Sequence, residues 1–352
     1  MSKPLRRESF MPDRPSSTAL TPAVVVSSQV VFGAKTVASE AVDAAFGMPI
    51  GKLRHRAGIV SLAHADAGET EATLGARAAA GALRSAGVDA GGIDWILATT
   101  ETHHAFPPLA AQIHRAIGVR EGCGAMDVGG ACLGFVHALA VAKAFVESGQ
   151  AGTGLLVTAD VHSQALTPGR VAGEFGGLFG DGASAFVVRG RAPGAARGSF
   201  LLRDFFFGCA SQYQPAIQVS AGPNDRLRVV FDGDALSRAA TARLDECLRE
   251  LERRSGVRRG DVAAFATHQP NPRLVALLAK RAGVPFEKFP PVADTRGNLG
   301  STTCAAALHY AMERARNGEP GELQPIFLAS LGPGLLFGGG WLSSAIFGNE
   351  TS

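Results

Sequence analysis

The chain has little charge, few of the larger aromatic side chains and few cysteines, and these shortages exclude several classes of protein. Charged residues make up 18% of its 352 residues, below the share of about 25% in an average soluble domain. Trp and Tyr number two each, and the formal net charge is only +3. The charge therefore gives no argument for nucleic-acid binding, and we expect part of the surface to be buried in an oligomer. The apolar share of 46% excludes a disordered chain.

The cysteines are odd in number, and none of them stands in a CxxC pair. This pattern argues against a disulfide scaffold and against a cysteine-based zinc site, so we expect no metal. It fits a cytoplasmic protein, because thiols stay reduced there and one of them can be kept for reactivity. The five are Cys123, Cys132, Cys209, Cys247 and Cys304.

Long apolar runs are also missing. No stretch approaches the roughly 18 residues that a membrane span needs. Residues 1–20 are rich in Pro, Ser and Arg and contain no apolar core of a signal peptide. We expect these residues to form a flexible N-terminal extension.

Glycine, in contrast, is abundant, with 44 residues, and strand-like and helix-like segments alternate along the chain. The alternation predicts an α/β protein with buried, largely parallel sheets. The predicted strands are 23–32, 93–100, 125–128, 154–159, 183–189, 227–231, 262–267, 325–330 and 341–347, and the predicted helices are 69–86, 109–117, 132–148, 235–255, 271–282 and 301–317.

One internal similarity relates the two halves of the chain. Asp127 and Asp294 each open a Gly-rich turn that leads into a helix of small residues. The similarity predicts that each half brings one helix N-terminus to a shared site. We place the halves at 21–195 and 196–352.

Cys132 is the first candidate for chemistry, because it stands where a short strand gives way to a helix. A helix N-terminus carries about half a positive charge and free N–H groups. It can lower the pKa of a thiol, and its N–H groups can stabilise the oxyanion formed when the thiolate attacks a thioester. The alternative is a small buried core residue, which is the usual role of a free cysteine.

His268 and Asn298 occupy comparable junctions. His268 follows the predicted strand 262–267, and sites in open α/β sheets form at such strand ends. Asn298 stands between glycines just before a helix and offers a neutral amide donor. Each alone has a plainer interpretation, a turn histidine and a turn or capping asparagine. Their joint placement with Cys132 favours one shared site, whereas nothing singles out the other histidines.

Four motifs stand in order along the chain. They are Asp127-x-x-x-Ala-Cys132-x-Gly-Phe135, Phe179-Gly-Asp181-Gly-Ala183, His268-Gln-x-Asn271-x-Arg273 and Gly297-Asn298. Together they resemble the β-ketoacyl-acyl-carrier-protein synthase III branch of the thiolase-fold condensing enzymes, from about Arg54 to the C-terminal strand. The resemblance implies a five-layered α-β-α-β-α thiolase-like fold of two duplicated halves, the N-terminal half carrying the nucleophile, and a homodimer.

The resemblance also implies a Cys-His-Asn active site that needs no cofactor beyond a coenzyme A thioester as substrate. Cys132 takes an acyl group from acyl-CoA. His268 and Asn298 then hold the thioester oxygen of a malonyl group on an acyl carrier protein while carbon dioxide leaves. The enolate attacks the acyl-enzyme and gives a β-ketoacyl product.

Further roles follow from the same resemblance. Phe106 matches a residue that reaches across the dimer into the partner's acyl pocket, although core packing is the plainer interpretation. Arg273, Lys280 and Arg281 match positions that dock the acidic carrier protein. The alternative for these three is a solvated helix face.

Two departures from the family pattern concern substrate binding. Lys52 stands where a tryptophan often stacks on the adenine of coenzyme A, although Arg56 matches the nearby arginine. Coenzyme A is then held differently, or the acyl donor is another thioester. In the C-terminal loop the chain reads Gly332-Pro333-Gly334, and proline has no N–H to offer an oxyanion. We expect that loop, through Gly332 and Gly334, to complete the oxyanion site.

Three functions remain open at this point. The first is decarboxylative condensation, in fatty acid, polyketide or specialised biosynthesis. The second is acyl transfer to a hydroxyl or amine, with His268 as general base. The third is a non-catalytic partner subunit, against which the intact Cys-His-Asn set argues. Thiolase itself is disfavoured, because it needs a second cysteine near the C-terminus and the last one is Cys304.

Overall fold

A computed structural model describes residues 21–191, 198–318 and 325–344. The predicted extension 1–20, the boundary near residue 195 and the end of the strand predicted at 341–347 lie outside these ranges. The strands are β1 (Ala23–Phe32), β2 (Lys35–Ala38), β3 (Ser61–His64), β4 (Trp95–Thr99), β5 (Gly124–Asp127), β6 (Thr153–Val161), β7 (Asp181–Gly190), β8 (Phe200–Leu202), β9 (Phe206–Cys209), β10 (Ile217–Ala221), β11 (Leu227–Phe231), β12 (Ala264–Thr267), β13 (Ile326–Gly332) and β14 (Leu336–Ser344). The helices are α1 (Ser39–Ala45), α2 (Glu71–Ala86), α3 (Leu109–Ile117), α4 (Gly134–Glu147), α5 (His162–Ala165), α6 (Glu174–Gly177), α7 (Gly233–Ser255), α8 (Pro272–Ala282), α9 (Ala293–Arg296) and α10 (Ser301–Asn317).

Most strands form one mixed sheet in the order β12-β13-β14-β8-β1-β7-β6-β4-β5, with β9 beside β14. Only β4–β5, β4–β6 and β12–β13 pair in parallel among the described strands of this sheet. The expectation of largely parallel sheets was therefore wrong. The last strand of each half turns back against its predecessor, as β14 does through the short turn at Pro333–Leu335, and such a turn can join only antiparallel neighbours.

The strand pairing repeats between the halves. In the first half β4 and β6 are parallel, and β7 then runs antiparallel to β6 and to β1. In the second half β12 and β13 are parallel, and β14 runs antiparallel to β13 and to β8. The halves join where β1 pairs with β8. The duplication is thus confirmed in the topology.

The two halves of this sheet form two layers, and helices form the other three. The helices α2 and α3 cover one outer face, and α7 and α8 cover the other. Between them α4 and α10 contact each other and strands of both halves. These two central helices are rich in alanine, and α10 is buried continuously from Ser301 to Leu308. Small side chains suit a helix that is enclosed on all sides.

Local capping signals fix the helix ends. The α2 helix begins at a capping box of Thr70 and Thr73 and ends at Gly87, which takes the left-handed conformation. Asn271 caps α8 by accepting from the Leu274 N–H at 2.9 Å. The Asn271 of the third motif therefore has a structural role. No helix within the described residues is long and apolar enough to cross a membrane.

A backbone bridge joins the second and fourth motifs. The Asn298 N–H donates to the Leu178 carbonyl at 2.9 Å, and the Gly180 N–H donates to the Asn298 carbonyl at 2.9 Å. A Cβ at Gly180 would lie 2.0 Å from the Arg296 carbonyl oxygen. Only glycine therefore permits this approach. Asp181 secures the same turn, because its carboxylate accepts from the Ala65 N–H at 2.6 Å.

We expect Gly180→Ala to lower the free energy of unfolding by about 1–3 kcal/mol, because the new methyl group meets backbone rather than a side chain that can move. Urea denaturation measures the change. Gly169→Ala serves as the control, since a Cβ there meets no atom within 4 Å. Equal stability of the two variants would contradict the close approach.

Candidate active site

The candidate residues meet where strands of both halves end. Cys132 follows β5, His268 follows β12 directly, and Asn298 precedes α10. His268 lies against the backbone of Gly300, whose N–H donates to Asn298 Oδ1 at 3.0 Å. The short turn containing Cys132 contacts α10 and β13. The structure thus brings together the three residues that the sequence placed at separate junctions.

Cys132 lies in a 3₁₀ turn, Ala131–Leu133, that precedes α4. Ala131 has a φ of 48°, a conformation that a residue with a Cβ rarely adopts. The Ser330 hydroxyl donates to the Cys132 carbonyl at 2.7 Å and so ties the turn to β13. A Cβ at Gly332 would lie 2.7 Å from the Gly130 carbonyl oxygen. The C-terminal loop therefore packs directly on the nucleophile turn.

The pKa of the Cys132 thiol is shifted in the direction opposite to the predicted one. Burial raises the pKa of this thiol well above the usual range, and the charge of Glu101 raises it further. The predicted lowering of this pKa by the helix N-terminus was therefore wrong, because burial and a nearby carboxylate outweigh a partial positive charge. Cys132 rests as a thiol and needs a base when it attacks.

His268 is a neutral imidazole at physiological pH. It is 4% exposed, and burial lowers its pKa to about 4, although the charge of Glu101 acts in the opposite direction. Its Nδ1 has no hydrogen-bond partner among the described residues. Gln269 fixes the loop by donating to the Pro290 carbonyl at 2.6 Å and accepting from the Val292 N–H at 3.1 Å.

Two hydrogen bonds to its amide oxygen orient the Asn298 side chain. Oδ1 accepts from the Gly300 N–H at 3.0 Å and from the Thr303 hydroxyl at 3.3 Å. Thr303 in turn accepts from the Leu299 N–H at 2.8 Å. Because Oδ1 is occupied, the Nδ2 group is the part of the amide left to donate to a substrate oxygen.

Three residues of the site were not singled out from the sequence. Glu101 follows β4, while Asp160 and His162 lie at the end of β6. Glu101 Oε2 is 3.8 Å from His162 Nε2, and the Glu101 N–H donates to Asp160 Oδ1 at 2.6 Å. A signal was present, since each follows or ends a buried strand parallel to its neighbour, as His268 does.

Glu101, Asp160 and His162 are buried close together, and charges within the group shift their pKa values. The charges of Asp160 and Glu101 raise the pKa of His162 despite its burial. The pairing with His162 lowers the pKa of Glu101, against the effect of burial. Burial and the Glu101 charge raise the pKa of Asp160 to about 7. Glu101 and His162 therefore form an ion pair beside the nucleophile.

Phe106 is 94% exposed, so the core-packing interpretation was wrong. Its side chain packs against little of its own chain. The whole of β5, the edge strand of the sheet, is exposed as well.

The basic residues are placed in different ways. Arg56 is exposed in a short helix, Leu53–Ala57, and Arg273 donates to the His55 carbonyl at 3.3 Å beside it. Lys52 is paired with Glu174 at 2.9 Å. These contacts place a basic surface at the start of α8, five residues after His268.

The other end of α8 is different. Lys280 is exposed there, whereas Arg281 lies 3.7 Å from Asp245 of α7.

In the C-terminal loop, Gly334 has a φ of 79° and open space at its Cβ position. Among the described residues no group of three or more His, Cys, Asp or Glu side chains is arranged to hold a metal ion.

We expect the alkylation of Cys132 by iodoacetamide to keep rising with pH past about 9, because a raised pKa keeps the thiolate scarce below that value. Peptide-resolved mass spectrometry between about pH 7 and 10 measures it. Cys209, which is exposed, reports on reagent and pH in the same sample. A Cys132 rate that levels off below about pH 8 would contradict the raised pKa.

Comparisons with known proteins cover most of the chain. Residues 126–203 match the family model for 3-oxoacyl-[acyl-carrier-protein] synthase III, and residues 252–343 match the model of its C-terminal part. The β-ketoacyl-[acyl-carrier-protein] synthase III of Salmonella typhimurium is 31% identical over 271 residues, which cover 77% of this chain and 83% of the relative.

Solved structures agree with this similarity. The priming β-ketosynthase of a polyketide biosynthetic pathway superposes with a TM-score of 0.80 at 28% identity, covering 94% of this chain and 98% of that one. The 3-oxoacyl-(acyl carrier protein) synthase III of Pseudomonas aeruginosa PAO1 has a TM-score of 0.80 at 24% identity, over 92% and 98% of the two chains, and supports the fold alone. With the fold and the motifs in agreement, the chain belongs to the β-ketoacyl-acyl-carrier-protein synthase III family.

Proposed function

We propose that the protein condenses an acyl group from acyl-CoA with a malonyl-type thioester on an acyl carrier protein, with loss of carbon dioxide. The observation that carries this proposal is the convergence of a thiol with two neutral hydrogen-bond donors, His268 and Asn298, in one buried site. Its first half-reaction forms an acyl thioester on Cys132. Its second half-reaction forms the carbon–carbon bond.

The two donors suit an enolate. When a malonyl group loses carbon dioxide, negative charge develops on the thioester oxygen. A neutral imidazole and a neutral amide stabilise that charge without surrendering a proton that would quench the carbanion. His268 stays neutral above its pKa of about 4. Asn298 is held ready by the two donors that occupy its Oδ1.

The same property of His268 disfavours acyl transfer to a hydroxyl or amine. That reaction needs His268 as a general base, and an efficient base has a pKa near the working pH. Burial lowers the pKa of His268 to about 4. The side chain is therefore better suited to donating a hydrogen bond than to removing a proton.

The assembly and partners belong to the same proposal. The exposed Phe106 and the open edge strand β5 support a homodimer in which Phe106 inserts into the partner. The basic surface of Arg56 and Arg273 supports binding of coenzyme A phosphates and of an acidic carrier protein. A role in fatty acid or polyketide chain building follows from this chemistry.

Cys132 and Asn298 are expected to serve different half-reactions. Incubation with acyl-CoAs should add one acyl mass to the intact protein, and Cys132→Ala should abolish the adduct. Asn298→Ala should slow carbon dioxide release from malonyl-carrier protein about 100- to 1000-fold. Its acylation by acyl-CoA should stay within about threefold of the unchanged protein, because the amide acts only on the acceptor.

Asn317→Ala, at the exposed far end of α10, is the control for replacing an asparagine by alanine outside the site. An adduct that survives Cys132→Ala would rule out this nucleophile. Unchanged condensation in Asn298→Ala would rule out the role of the amide.

Arg273→Glu should raise the KM for malonyl-carrier protein about tenfold while acylation by acyl-CoA changes less, because a rim charge acts mainly on the encounter with an acidic partner. Steady-state kinetics at two salt concentrations measure this. Arg84→Glu reverses an exposed charge on α2 and should have no effect. An equal KM in both variants would show that the start of α8 is not part of the docking surface.

A further inference from the structure

Glu101 is a buried carboxylate with one unused oxygen. It stands two residues beyond the end of β4, and its side chain is 14% exposed. Oε2 lies 3.8 Å from His162 Nε2, whereas Oε1 is buried without a hydrogen-bond partner among the described residues. A buried unpaired carboxylate oxygen is costly, so a partner that arrives during function is the simplest reason to retain it.

The unused oxygen lies among the reacting groups. The Glu101 carboxylate lies close enough to the Cys132 thiol for its negative charge to raise the pKa of that thiol. On another side it meets Gly300, where a Cβ would lie 2.9 Å from Glu101 Oε1 and 2.8 Å from His162 Cε1. The absence of a side chain at Gly300 therefore lets the start of α10 close over the carboxylate.

Hydrogen bonds hold the Glu101 backbone and its neighbours Asp160 and His162 in place. The Glu101 N–H donates to Asp160 Oδ1 at 2.6 Å, and Ser301 donates to Asp160 Oδ2 at 2.8 Å. His162 stacks on Phe179, with ring centroids 4.5 Å apart, and its Nδ1 donates to the Gly180 carbonyl oxygen at 3.2 Å. His162 is thus a positioning residue that keeps Glu101 charged.

The attack of Cys132 on a thioester requires a base that removes the proton of its thiol. The Cys132 thiol is protonated at rest, because burial and Glu101 raise its pKa. Proton removal therefore has to accompany attack on the thioester. Glu101 lies beside the thiol, and its buried Oε1, which has no hydrogen-bond partner among the described residues, is free to accept the proton.

We propose that Glu101 is a further catalytic residue, which takes the Cys132 proton as the sulfur attacks the acyl-CoA carbonyl and returns it to the departing coenzyme A sulfur. The S–H bond of Cys132 breaks while its S–C bond forms, and the C–S bond to coenzyme A then breaks. The proton ends on the thiol of coenzyme A. Glu101 is again a carboxylate, and no redox partner is involved.

This inference rests on the proposed acyl-enzyme and deepens it. It assigns the two half-reactions to residues from different halves of the chain. Glu101 serves the first half-reaction, in which a proton moves. His268 and Asn298 serve the second, in which charge develops on an oxygen and is only stabilised.

The test compares two reactions of the same thiol in Glu101→Gln. Acylation by acyl-CoA, followed by rapid-quench intact mass, should slow about 100-fold, since a general base contributes about 100- to 10000-fold. Alkylation of Cys132 by iodoacetamide at about pH 8 should become equal or faster, because removing the negative charge lowers the pKa of the thiol. A merely structural role would move both rates in the same direction.

Asp94→Asn is the matched control. Asp94 precedes β4, at the opposite end of the strand from Glu101, and its carboxylate accepts from the Gly152 N–H at 2.8 Å. Both rates should stay within about twofold of the unchanged protein. The same measurement separates the two proposals, because an unchanged protein that forms no Cys132 adduct would overturn the proposed function itself.

A second variant covers the case in which Glu101→Gln does not fold. In Glu101→Ala, added formate should restore part of the acylation rate, whereas neutral formamide should not. Acylation of folded Glu101→Gln within about threefold of the unchanged protein would overturn the role of Glu101. Failure of formate to accelerate Glu101→Ala would overturn it as well.

Discussion

The site depends on one backbone bridge between the two halves of the molecule. Two hydrogen bonds, both of 2.9 Å, join Asn298 to Leu178 and Gly180. The bridge is possible because Gly180 has no side chain to meet the Arg296 carbonyl. It fixes the start of α10 against the end of the first half. Asn298, Gly300 and Ser301 then reach groups that belong to the other half of the chain.

The second constraint is the burial of the site that this junction closes. Burial raises the pKa of Cys132 and lowers that of His268, so both rest in neutral form. Charge is tolerated where it is paired, as between Glu101 and His162. The result is a nucleophile that stays protonated until an acyl donor arrives, and donors that remain neutral while an enolate forms.

Much of this could be predicted from the sequence, and the errors have identifiable causes. The helices at Leu109–Ile117 and Ser301–Asn317 were predicted with the observed bounds, because glycine or the pattern of small residues marks their ends. The sheet was predicted as largely parallel and is mixed. Buried strands of either direction have the same apolar pattern, and direction depends on connections that local sequence does not specify. Cys132 was placed on a helix, whereas it lies in a strained turn before one.

The sequence by itself determined the family motifs, the duplicated pattern of two helix starts, and the identity of Cys132, His268 and Asn298 as candidates. Each of these is a property of residue type and order along the chain. Only the tertiary structure decided the protonation states and the presence of Glu101, Asp160 and His162 beside the thiol. A pKa depends on burial and on charges from distant parts of the chain. For Cys132 the decisive neighbour is Glu101, 31 positions earlier along the chain and in contact only once β4 and β5 pair.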